Sequence, residues 1–146
     1  MENARKNLKV SAILVLIFAG LSLIRTICDM IFLDPSKVTV PEGSPENIVL
    51  IAKFVIIGIA LVVLLPQVYV GVKGLKLASN PGPAKACIVW ATILFVISIL
   101  SIISPIAGLI KHEFIGSNVS ALLDAVVDIL IYFEFIKYAK TVSQGE

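Results

Sequence analysis

The chain alternates between long apolar stretches and short polar segments, and this pattern predicts its main elements. Four stretches are apolar almost throughout, at residues 8–33, 46–78, 83–110 and 118–138. Each reaches the ~20 residues that an α-helix needs to cross the hydrocarbon core of a bilayer. The pattern therefore predicts an all-α fold in which residues 1–146 form a single domain, a polytopic integral membrane bundle of four transmembrane helices.

Composition agrees with this prediction and narrows the function classes. Hydrophobic residues make up 58% of the chain and charged residues only 15%, against about 25% charged residues in soluble domains. The sequence has no glycine-rich phosphate loop, no nucleophile motif and no cluster of His or Cys ligands. We therefore expect no enzymatic activity, no catalytic or metal-binding residue, no cofactor and no nucleic-acid partner. The partner that we expect for the apolar helices is the lipid bilayer.

Lysine and arginine are distributed unevenly between the two sides of the predicted membrane. One side holds Arg5, Lys6, Lys9, Lys73, Lys76, Lys85, Lys137 and Lys140. The other side, formed by segments 34–46 and 111–118, holds only Lys37 and Lys111. Because positively charged loops remain in the cytoplasm, this bias predicts a multi-pass protein of the cell membrane with both termini cytoplasmic.

Ionisable residues interrupt the apolar stretches near their non-cytoplasmic ends. They are Arg25 and Asp29 in the first stretch, Lys53 in the second, and Asp124 and Asp128 in the fourth. At a rise of ~1.5 Å per residue, all lie within about 14 Å of the outer edge, and Ser101 of the third stretch lies at a similar level. A charge facing lipid near the bilayer centre costs ~2.5–3.5 kcal/mol. The sequence therefore predicts a buried polar layer to which all four helices contribute.

The charges of this layer leave two interpretations open. Two bases and three acids give one surplus negative charge, and a buried, uncompensated carboxylate takes up a proton, attracts a cation or contacts water. Asp128 is the deepest acid and the candidate for this behaviour. In the leading interpretation the layer organises helix packing or association with a membrane partner, either a second copy or a larger protein. The alternative is an oligomeric transporter or channel-like protein that uses Asp124 and Asp128 for a proton or cation.

A weak internal similarity raises the hypothesis of duplication. If residues 47–57 and 118–128 are aligned on Asn47 and Asn118, Lys53 falls opposite Asp124. Two hairpins of the same orientation would then be related by an axis along the membrane normal, a parallel pseudo-repeat. The alternative is that two segments rich in Ile, Leu and Val align this well by composition alone.

Spacing along single helices gives three smaller predictions. Lys53 shares a stripe with Gln67 and Gly71, which marks the inward face of the second helix. Glu134 and Lys137 have the i,i+3 spacing of an interfacial ion pair. Pro66 is expected to bend the second helix, which is long for a single span.

Overall fold

The computed structural model describes residues 2–31, 47–110 and 116–144, and every regular element within them is an α-helix. The helices are α1 (Glu2–Ile31), α2 (Ile48–Ser79), α3 (Lys85–Ser101), α4 (Ile103–Ile110) and α5 (Gly116–Ser143). The all-α fold and its four helical segments are thus confirmed, with limits that differ from the prediction. Both α1 and α5 continue into polar residues near the termini, because hydropathy marks only the apolar part of a helix.

The third helical segment is interrupted at Ile102, which separates α3 from α4. Pro105 has no backbone N–H and cannot bond to the Ser101 carbonyl. The Ile102 N–H bonds to the Ile99 carbonyl at 3.3 Å, and the Ile106 N–H returns to the Ile102 carbonyl at 3.2 Å. Pro66, by contrast, lies inside the uninterrupted α2. The break in helical bonding therefore occurs at Ile102, the residue directly after Ser101, the serine of the predicted polar layer.

The helices form an antiparallel bundle in the order α1, α2, α3–α4, α5, with α5 returning to pack against α1. The Cys87 thiol of α3 donates to the Val70 carbonyl of α2 at 3.7 Å. Arg25, late in α1, meets Asp124, early in α5. This antiparallel order places the basic residues of the termini and of 73–85 at one end, which we call the basic end. The opposite end, residues 18–31, 48–67, 97–110 and 119–128, is the open end.

The apolar core fills the basic end. Its largest fully buried side chains are Phe135, Leu8, Leu94 and Val70. Close packing there depends on Gly74, where a Cβ would overlap the Phe135 ring and come within 3.0 Å of the Ala12 Cβ. At the open end, the buried side chains within the described ranges are small ones, namely Ala19, Ser98, Pro105 and Ala125.

The outer surface of the bundle is strongly apolar. Large hydrophobic side chains such as Ile31, Val62 and Ile110 are at least 70% exposed. Within the described residues, three segments are long and apolar enough to cross a membrane: Glu2–Cys28, Lys53–Ser79 and Lys85–Gly108. The remaining helix, α5, carries Asp124, Asp128 and Glu134 within its apolar part.

Candidate functional site

A polar cavity of about 320 Å³ lies between α1, α2 and α5, where the open end meets the core. Its lining combines charged, amide, hydroxyl and apolar side chains: Phe18, Leu21, Ser22, Arg25, Gln67, Asp124 and Asp128. Helical spacing explains the grouping, since Ser22 and Arg25 lie three residues apart on α1 and the two aspartates lie four apart on α5. The polar side chains of α1 and α5 thus face the same space, to which α2 adds Gln67.

Arg25 and Asp124 join α1 to α5 across this cavity. The Arg25 Nη1 donates a hydrogen bond to the Asp124 Oδ2, forming an ion pair between residues that are 99 positions apart in the sequence. Neither side chain is enclosed, since 53% of Arg25 and 57% of Asp124 remain exposed. The pair therefore lies at the edge of the bundle, where another molecule can reach it.

Asp128 lies one turn deeper on α5 and is half-buried. None of the hydrogen bonds or ion pairs found among the described residues engages its carboxylate. Tyr132, a further turn along α5, is 3% exposed and hydrogen-bonds through its side chain to Gln67 of α2. Asp124, Asp128 and Tyr132 thus form a polar stripe at i,i+4 spacing that leads from the exposed ion pair into the core.

The charges of the cavity determine what it can accommodate. With both aspartates ionised, the single guanidinium of Arg25 leaves one negative charge uncompensated. That charge can be met by a proton, a cation or a basic side chain of another molecule. Among the described residues, no group of three or more His, Cys, Asp or Glu side chains could hold a metal ion.

The structure brings together only part of the predicted polar layer. Arg25, Asp124 and Asp128 line the cavity, whereas Lys53 does not. Lys53 precedes Gln67 by fourteen residues on α2, which is about 21 Å of helix. The α2 residue that lines the cavity is Gln67, which hydrogen-bonds to Tyr132, eight residues after Asp124 on α5.

Two other residues of the predicted polar layer, Ser101 and Asp29, are not among the described residues that line the cavity. Ser101 is exposed on α3, and its hydroxyl donates to the Ser98 carbonyl at 2.7 Å rather than to an acid of α5. Asp29 belongs to the last turn of α1, but its side chain is outside the described residues. The cluster is consequently built by three helices, α1, α2 and α5.

Gln67, Ser22 and Phe18 are cavity residues that the predicted layer did not include. The signal for Gln67 was its place on the stripe with Gly71, and the structure does turn both residues inward. Ser22 and Phe18 carry no comparable signal, because single serines and phenylalanines are common in apolar helices. Ser22 and Phe18 line the cavity because the face of α1 that carries them packs toward α5.

A second ion pair and the two cysteine thiols lie outside this cavity. Lys137 Nζ lies 3.8 Å from Glu134 Oε1, the predicted i,i+3 pair. Cys28 is exposed near the open end, while Cys87 is buried at the basic end, and both are free thiols.

Comparison with protein families, with characterised proteins and with solved structures finds no match to this chain.

Proposed function

We propose that this protein is a non-enzymatic integral membrane protein with four spans, formed by α1, α2, α3 with α4, and α5. Three of these segments have the required length and apolarity. Support for the fourth comes from packing, because α5 lies against α1 and α3 within the same bundle. The clustering of lysine and arginine at the basic end favours both termini in the cytoplasm.

Cysteine labelling tests this orientation. A Ser44→Cys variant on the non-cytoplasmic 34–46 segment should react with a membrane-impermeant maleimide in intact cells, whereas an Asn80→Cys variant should not. Native Cys28 and Cys87 are first replaced by alanine so that each variant has a single thiol. Modification of Ser44→Cys only after membrane rupture would contradict the proposed orientation.

The function we propose for the charged cluster is helix association. The observation that carries it is the Arg25–Asp124 ion pair, which joins α1 to α5 at the end of the bundle where the buried side chains of the described residues are small. Apolar surface gains little by leaving lipid for another apolar surface, so polar pairs and close packing decide which helices associate. An ion pair at this position specifies that α1 and α5 are neighbours.

The charged cluster also has an exposed surface, and this surface favours association with a second protein. The ion pair is more than half exposed, and Asp128 leaves one negative charge in the cavity. In the proposed membrane position, a charged surface toward lipid is costly. A transmembrane helix carrying a lysine or arginine at the depth of Asp128 would neutralise the charge and cover the exposed pair.

Energy transfer between this protein and a synthetic helix in vesicles tests the proposed association. One synthetic transmembrane helix is leucine-rich with a single central arginine, and the other has leucine at that position. The arginine helix should associate with the wild type and lose its advantage over the leucine helix with Asp128→Asn. Glu134→Gln is the matched control, because Glu134 is on the same helix but at the basic end. Equal association of both helices with the wild type would contradict the proposal.

A second candidate function, oligomeric transport of a proton or cation, is favoured by the cavity itself. It provides about 320 Å³ of space beside Asp128, enough for water or a small cation. Four helices rarely enclose a pathway alone, so a second copy would be needed to complete one. Proteoliposomes containing a pH-sensitive dye should then show an ion flux that Asp128→Asn abolishes and Glu134→Gln preserves. Absence of flux in the wild type would remove this candidate.

A further inference from the structure

A second large cavity lies at the basic end, between α2 and the beginning of α3. Its volume is about 620 Å³, and its lining includes Tyr69, Lys73, Leu77, Lys85, Val89 and Trp90. It is separate from the charged cluster, since the two cavities share no lining residue. Nothing in the proposed helix association uses it.

Two lysines give this cavity a positive charge. Lys73 comes from α2 and Lys85 is the first residue of α3, so the two ammonium groups approach the cavity from different helices. Both are exposed, and within the described residues neither forms an ion pair with an acid. The cavity therefore attracts an anion.

The first turn of α3 adds hydrogen-bond donors to the same wall. The N-cap residue, Ala84, provides no side-chain cap, and the first helical bond runs from the Ile88 N–H to the Ala84 carbonyl at 2.9 Å. The N–H groups of the three preceding residues consequently have no acceptor within the helix. These residues line the cavity, so the positive end of the α3 dipole lies at its wall beside the lysines.

The other walls are apolar and aromatic, which indicates the class of anion. Tyr69 and Trp90 have the amphipathic rings typical of the interface between lipid headgroups and acyl chains, and Leu77 and Val89 extend the wall with aliphatic surface. A soluble phosphate would gain nothing from these side chains, whereas a phospholipid would place its glycerol and upper acyl chain against them. We infer that this cavity binds the phosphate headgroup of an anionic phospholipid, an inference that depends on the membrane insertion proposed above.

Trp90 provides a direct reporter, because it is the only tryptophan in the chain and lines the cavity. The full-length protein is reconstituted into phosphatidylcholine vesicles containing a small fraction of phosphatidylglycerol. In one series the bromines that quench tryptophan are on the acyl chains of phosphatidylglycerol, and in the other on those of phosphatidylcholine. The compared variants are the wild type, Lys73→Gln/Lys85→Gln, and Lys76→Gln. Lys76 is the matched control, since it is an exposed lysine of α2 outside the cavity.

We expect brominated phosphatidylglycerol to quench Trp90 beyond its share of the bilayer. The double variant should lower this preference by about 30-fold, because each lysine near an anionic membrane surface contributes about 1 kcal/mol to binding. Lys76→Gln should preserve most of the preference. An equal preference in the double variant, or none in the wild type, would overturn the inference. The inference would also be overturned if inorganic phosphate reduced the quenching by brominated phosphatidylglycerol more strongly than chloride does at the same ionic strength. Failure of both brominated lipids to quench would contradict membrane insertion itself and the lipid site with it.

Discussion

The two ends of the bundle are stabilised by different physical means. At the basic end, Phe135 and Leu8 are fully enclosed, and Gly74 brings the backbone of α2 close to Ala12 of α1 and Phe135 of α5. At the open end, the buried side chains among the described residues are small, and α1 and α5 meet through Arg25 and Asp124. In the proposed membrane, where apolar burial alone discriminates poorly between partners, the first end would be held by close packing, and the exposed ion pair of the second would be accessible to the partner proposed above.

Glycines show the same contrast between the two ends. A Cβ at Gly71 would come 2.5 Å from the Leu16 Cγ and 3.3 Å from the Ala12 carbonyl oxygen. A Cβ at Gly20 or Gly58, both at the open end, would meet no atom within 4 Å. Glycine is therefore required for helix contact at positions 71 and 74 of the basic end, while Gly20 and Gly58 serve no comparable contact.

Removing a core ring should have the largest effect and would test the role of packing at the basic end. Phe135→Ala should lower the free energy of unfolding by about 3–4 kcal/mol, because the fully buried ring leaves a cavity that its neighbours cannot close. Reversible unfolding in mixed micelles measures this change. Phe133→Ala is the control, since Phe133 lies two residues away and is 52% exposed. Equal losses in the two variants would show that the basic end does not depend on this core.

Breaking the ion pair should have a slightly smaller effect and would test the open end. In the proposed membrane, Arg25→Leu leaves the acids of α5 facing lipid without their counterion, and should destabilise the protein by about 3 kcal/mol. Adding Asp124→Asn or Asp128→Asn should recover part of that loss, because it removes a charge left without its counterion. The same unfolding experiment measures both steps. Double variants no more stable than Arg25→Leu alone would contradict the cross-helix pairing.

Adding a methyl group to single glycines should have the smallest effect and would sharpen the contrast between the ends. Gly74→Ala should cost about 2 kcal/mol, because the added Cβ overlaps the enclosed Phe135 ring. Gly58→Ala should be neutral or stabilising by about 0.5–1 kcal/mol, because alanine favours the helix and the site is empty. Thermal unfolding of the two variants in the same detergent provides the comparison. A Gly58→Ala loss equal to that of Gly74→Ala would mean that the open end is as closely packed as the basic end.

The sequence predicted the helices well because their signal is local. Long apolar stretches and short polar segments identify helical segments without knowledge of their neighbours. The interruption at Ile102 was harder to predict, since both Pro66 and Pro105 lie inside apolar stretches and only the observed backbone bonds show that α2 continues past its proline. Proline alone therefore did not indicate which helix would divide.

The candidate site was predicted only in part because it depends on packing register. Arg25, Asp124 and Asp128 were recognised as charges in apolar surroundings, and the structure places them at one cavity. Lys53 met the same criterion but does not line the cavity, to which α2 contributes Gln67, fourteen residues further along the helix. Sequence spacing gives the face of a helix on which a residue lies, whereas tertiary packing sets its level relative to other helices.

Distances between spin labels on α1 and α5 test directly whether the ion pair stabilises the open end while packing stabilises the basic end. One label pair replaces Ile24 and Leu123 at the open end, and the other replaces Ile13 and Phe133 at the basic end; all four side chains are exposed. Cys28 and Cys87 are first replaced by alanine. Introducing Arg25→Leu should lengthen and broaden the 24–123 distance distribution and leave the 13–133 distribution unchanged. An unchanged 24–123 distribution, or an equal change at both ends, would contradict this account.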